Sequence, residues 1–98
     1  MEIEKTTEGK VLNISLSGKL DVLTAPLMEK ELSAAMEGIE ELRLNMERLE
    51  YISSVGLKTL LNLHKKMILH GEMVVKNVNA EIMSLFEISG FSDILTIE

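Results

Sequence analysis

Between Val11 and Leu20 apolar and polar residues alternate, with Leu12, Ile14 and Leu16 set among Asn13, Ser15 and Ser17. Strict alternation marks a strand with one buried face and one wetter face. The pattern recurs at Leu42, Leu44 and Met46 around Arg43 and Asn45. Between these stretches the period becomes helical. Met28, Leu32 and Ala35 share one helix face, Thr24 is placed to cap the helix, and Pro26 fits the first turn, where an amide has no helical partner. Gly38 is the expected C-cap. Strands separated by helices need crossover connections and pair mostly in parallel, which restricts the chain to an α/β layer structure.

The remaining elements follow from punctuation. Ile3 opens a short first strand that turns at Glu8-Gly9. Glu47 to Ile52 reads as a loop, and a helix from Ser54 to His70 stops at Gly71. Met73 to Val75 is a short buried strand. Asn79 caps a third helix that carries Ile82, Leu85 and Phe86 and closes at Gly90. Ile94 to Ile97 is the last strand. The predicted order is ββαβαβαβ: one domain over residues 1–98, with a mixed, mostly parallel sheet and three main helices. The alternating strands imply a sheet not fully covered on both faces.

Composition narrows the chemistry. The chain has 98 residues, 46% of them hydrophobic, enough for one modest core. Without cysteine there is no disulfide, thiol nucleophile or cysteine-based metal site. A net charge of −6 and only Tyr51, Phe86 and Phe91 as aromatics argue against nucleic acid, which calls for a basic footprint and stacking platforms. The charged, polar start and the short apolar runs argue against a signal peptide and direct membrane insertion. His64 and His70 lie six positions apart on one helix, roughly 600° of rotation, so they do not converge on a metal. No glycine-rich phosphate cradle and no nucleophile elbow is present. No cofactor, metal or catalytic residue is expected.

One region departs from this acidic background. The first fifty residues hold 6 basic and 11 acidic side chains, whereas residues 51–71 contain Lys58, Lys65 and Lys66 and no acid. On a helical wheel Leu57, Leu60, Leu61, Met67 and Ile68 gather on one side, with His64 in their stripe. Lys58, Asn62, Lys65 and Lys66 lie opposite, and Val55 and Leu69 fall among them. An apolar Val55 on the wet side of a helix start marks a possible contact surface. Ser53 and Ser54 stand at that start, where serine caps free amides. A helix N-terminus also favours an anion, so it tolerates a phosphoserine that a partner pressed against it does not.

Leu49-Glu-Tyr-Ile-Ser-Ser-Val-Gly-Leu57, followed by Lys58-Thr-Leu-Leu61, resembles the signature loop and helix of STAS domains, the anti-sigma factor antagonists of bacteria. Ser17-Gly-Lys-Leu-Asp21 with Thr24-Ala25 is similar to their second strand and the acidic turn before the first helix. Val78-Asn79 through Phe86 to Gly90-Phe91 is similar to their third helix. The resemblance covers about residues 3 to 97 and implies a STAS-like fold. It implies a protein that binds an anti-sigma factor serine kinase, releases a sigma factor, is switched off by phosphorylation and is restored by a serine phosphatase. On this alignment the phosphorylated position falls on Ser54, with Ser53 as second choice. Asp21, Thr24, Ser53, Ser54, Val55, Lys58 and Asn62 form the expected partner-binding set. Ser53 stands where many phosphorylated members carry Asp, and Val55 where many carry Ser or Thr. A free cytoplasmic protein is expected. The alternative is a constitutive interaction subunit, such as one of a lipid-transport assembly.

Overall fold

The computed structural model describes all 98 residues. Strand β1 (Glu2–Glu8) forms a hairpin with β2 (Val11–Leu20), and Gly9 takes the positive φ of 61° that the turn requires. There follow α1 (Ala25–Ala35), β3 (Glu41–Ile52), α2 (Ser54–Met67), β4 (Glu72–Lys76), α3 (Ala80–Ser89), a 3₁₀ turn at Phe91–Asp93, and β5 (Thr96–Ile97). The order is the predicted ββαβαβαβ. The five strands lie side by side in chain order, β1 antiparallel and the rest parallel. Right-handed crossovers between successive neighbours put every helix on the same face. The other face is left to water, as the alternation implied.

The core fills the space between that sheet and the helices. Leu12, Ile14 and Leu16 of β2, Leu42, Leu44 and Met46 of β3, and Met73 and Val75 of β4 point into it. Met28 and Leu32 of α1, Leu60, Leu63 and Met67 of α2, and Ile82 and Phe86 of α3 meet them. Asn79 caps α3 by accepting from the Ile82 amide at 2.9 Å, and Gly90 ends it at φ 83°. The uncovered face is polar: Asn13, Ser15, Arg43, Asn45 and Lys76 line a shallow depression of about 160 Å³ there.

Several boundaries differ from the sequence reading. The segment Glu47–Ile52 is not a loop but the second half of β3, which runs for 12 residues. Register shifts between Ser15 and Ser17 and between Gly18 and Lys19 insert extra residues into β3, so its buried positions become Met46, Leu49 and Ile52 and strict alternation is lost. Helix α1 ends at Ala35 with Met36 as C-cap, so Gly38, at φ 77°, serves the following turn instead. Helix α2 ends at Met67, three residues short of His70, and β5 is confined to Thr96–Ile97 because Ile94 closes the 3₁₀ turn. Helix α2 is also rotated from its wheel. Gly56, Thr59 and Leu63 join the buried side, Leu57 and Leu61 lie half-buried, and Ile68 is exposed.

Phe86 is the largest side chain of the fully enclosed core. Phe86→Ala is expected to lower the unfolding free energy by about 3–5 kcal/mol, measured by urea denaturation.

Candidate functional site

The site is built where β2 and β3 end. Leu20 pairs with Ile52, so the two chains leave the sheet together, one into Asp21 and the other into Ser53. The Ser53 amide donates to the Leu20 carbonyl at 2.9 Å, which continues the strand pairing by one bond. Helix α2 then starts against the end of β2. A methyl group on Gly56 would sit 2.7 Å from the Leu20 carbonyl oxygen, so only glycine allows this approach.

The two serines have different roles. Ser53 is the N-cap: its Oγ accepts from the Gly56 amide at 3.1 Å and its backbone is extended. Ser54 is the first residue of the helix, exposed, and its hydroxyl is engaged by no other group of the chain. Of the two, only Ser54 presents a free nucleophilic oxygen to a second protein.

Asp21 organises the neighbouring loop. Its Oδ1 accepts from the Leu23 and Thr24 amides, both at 3.0 Å, and lies 3.2 Å from the Thr24 hydroxyl oxygen. The Thr24 amide first, then the Leu23 amide, with the Thr24 hydroxyl adding less, hold the Asp21 carboxyl below its ordinary pKa of 3.8. Thr24 does not cap α1 with its side chain. Its hydroxyl donates to the Lys19 carbonyl at 2.7 Å and accepts from the Asp21 amide at 2.9 Å. The loop is held from within, and the polar atom of Thr24 is committed to it.

The rigid loop displays apolar side chains that the sequence reading missed. Val22 is 63% exposed and Leu23 77%, and Leu27, in the first turn of α1, is 66% exposed. Tyr51 and Val55 stand exposed on the same edge, at the end of β3 and the start of α2. The missed signal is a Val-Leu pair directly after a turn-forming Asp, outside any helical or strand period. Lys58 is exposed one turn beyond Ser54, and Asn62 is half-buried another turn on. The structure therefore brings Asp21, Thr24, Ser53, Ser54 and Val55 to one edge, with Lys58 and Asn62 along the helix leading from it. The larger of two surface depressions, about 410 Å³, lies between the far ends of α1 and α2 beside Ser33, Met36, Lys66 and His70. The smaller is the one on the open sheet face. Neither is at this edge, which is a surface for contact and not a cavity.

The STAS domain model matches residues 2–98. The chain belongs to the STAS domain family. An anti-sigma-B factor antagonist of Staphylococcus aureus is 31% identical over 97 residues, which cover 97% of this chain and 90% of that protein. An anti-sigma factor antagonist from Mycobacterium paratuberculosis superposes with a TM-score of 0.88 at 22% identity, covering 98% of this chain and 83% of that one. The Bacillus cell fate determinant SpoIIAA in its phosphorylated form superposes with a TM-score of 0.77 at 19% identity, covering 99% and 91%. These two likenesses concern the fold. No helix of the STAS domain described here is long and apolar enough to cross a membrane.

The unequal serines give a direct test. Ser53→Ala should destabilise the domain by about 1 kcal/mol through loss of the cap, while Ser54→Ala should stay within about 0.5 kcal/mol of wild type, both read from urea midpoints. Asp21 gives a second. A lowered carboxyl pKa contributes stability that is present above the unfolded-state value and is lost as pH falls through the folded-state value. Asp21→Asn should therefore flatten the acid limb of the stability curve below about pH 4 and leave its shape near pH 7 unchanged, measured by thermal denaturation across pH.

Proposed function

We propose that the chain is an anti-sigma factor antagonist that binds an anti-sigma factor through the edge around Ser54 and is released by phosphorylation of that serine. The observation that carries the reading is the free, exposed Ser54 hydroxyl set among exposed apolar side chains at the start of α2. Membership of the STAS family and the name carried by the S. aureus relative support the choice of partner. The protein acts by occupying its partner, not by catalysis, and does so in the cytoplasm, where sigma factors work.

Unmodified, the edge offers Val22, Leu23, Leu27, Tyr51 and Val55 for apolar burial and the loop of Asp21 and Thr24 as a fixed shape. Binding frees the sigma factor that the anti-sigma factor had held. The partner is also the kinase. The Ser54 Oγ–H proton leaves as the Oγ–P bond forms and the terminal phosphoanhydride bond of a nucleoside triphosphate breaks, releasing the diphosphate. The product places between one and two negative charges at the centre of the contact. Burying that charge without a partner is costly, whereas the helix N-terminus tolerates it in water. The fold survives and the complex does not. A serine phosphatase hydrolyses the ester and restores binding. Ser53 is the poorer acceptor because its oxygen caps α2.

Ser54→Asp should weaken binding to the cognate anti-sigma factor at least about 10-fold by calorimetry while leaving the circular dichroism spectrum unchanged. Equal affinity of Ser54→Asp and wild type would reassign the protein to a constitutive interaction subunit, with Ser54 only the first residue of a helix.

A further inference from the structure

Lys58 has no assigned partner inside the domain. The ion pairs of the structure engage Lys5, Lys10, Arg43 and Lys66, and Lys58 is in none of them. No acid occurs between Tyr51 and Gly71, so its own helix supplies no counter-charge. It lies four residues after Ser54, both side chains are exposed, and both belong to α2. Residues four apart on a helix are neighbours on its surface, and the favourable order places the anion on the N-terminal side of the cation. A lysine close to the positive end of a helix dipole is otherwise poorly placed.

We propose that Lys58 is the intramolecular counter-ion of a phosphate on Ser54, so that modification closes an ion pair along the solvent face of α2. This deepens the switch reading and rests on it. The first turn of α2 carries no acidic side chain, and the phosphate supplies the charge that the helix end lacks. The Asp21 carboxylate is tied to the Leu23 and Thr24 amides and repels the phosphate. Lys19 and Tyr51, at the ends of β2 and β3, Glu50, and the N-terminal amine of Met1, whose charge acts on the Asp21 carboxyl, are other ionisable groups of this edge. All of these remain when Lys58 is replaced, so the substitution isolates the pair. The pair draws Lys58 toward the modified serine and partly neutralises the mark, a modest bias of the kind an exposed pair four residues apart supplies.

The test is phosphorus NMR titration of the full chain with phosphoserine genetically encoded at position 54, in wild type, Lys58→Met, Lys58→Arg and Lys65→Met. A nearby cation favours the dianion, so the second phosphate pKa should be lower in wild type than in Lys58→Met by about 0.15–0.4 pH units. Lys58→Arg should keep most of that shift. Lys65→Met, about 16 Å along the helix from Ser54, should titrate as wild type does. Raising the salt to 1 M should remove the difference, because the screening length falls to about 3 Å. Equal pKa values in wild type and Lys58→Met at low salt would overturn the proposal, and so would an equal shift in Lys65→Met. Absence of phosphate on Ser54 in native cells would sink the switch reading instead and leave this measurement untouched.

Discussion

The Leu20 carbonyl oxygen is the point on which the site depends. It accepts the Ser53 amide on one side and excludes any side chain larger than hydrogen at Gly56 on the other. Those two contacts fix where α2 begins and how closely it packs on the end of β2. A start one residue later would make Ser54 the cap and leave Ser53 free, because capping belongs to whichever residue precedes the first turn. A single backbone oxygen thus separates a structural serine from an available one.

The rest of the edge follows the same logic of internal satisfaction and outward display. The Asp21 carboxylate and the Thr24 hydroxyl tie the Asp21–Thr24 turn to its own amides and to the Lys19 carbonyl, so the loop is held by the chain's own hydrogen bonds before any partner arrives. What remains facing water is apolar. A loop already tied by its own hydrogen bonds costs less ordering entropy on binding than one that must be fixed at that moment. The opposite face of the sheet is different in kind. Its carboxylates crowd one another: Glu72 lies beside Glu41, chiefly through their shared hydrogen bond, and its carboxyl is pushed above the ordinary 4.5. Arg43 answers with contacts to Glu41 and Glu98. The molecule therefore has a polar, solvated face and a separate edge suited to protein contact.

Much of this was legible in the residues. Leu12, Ile14 and Leu16 announce β2, and Asn79 and Gly90 bracket α3, because each signal is local: a period of two, a capping side chain, a glycine at positive φ. The second half of β3 was not legible. Its buried residues Met46, Leu49 and Ile52 are three apart because the strand is bulged against β2, and a bulge is a property of the pair of strands. The C-terminal turn of α2 and the short β5 failed for the related reason that helix and strand ends are set by neighbouring elements. Thr24 has the type and position of a cap, but the Lys19 carbonyl and the Asp21 amide, brought to it by the turn, engage its hydroxyl instead.

The sequence by itself determined the order of elements, the one-sided core, the family and the pair of serines at the head of α2. Periodicity and short-range capping carry the elements and the core, the resemblance of short motifs carries the family, and all of these are written in neighbouring residues. Only the tertiary structure decided which serine is free, because the cap is set by where α2 meets Leu20, a residue more than thirty positions away. Only it decided that Val22, Leu23, Leu27, Tyr51 and Val55 are each left in solvent. Exposure of an apolar side chain is fixed by what fails to pack against it, and no local pattern records that.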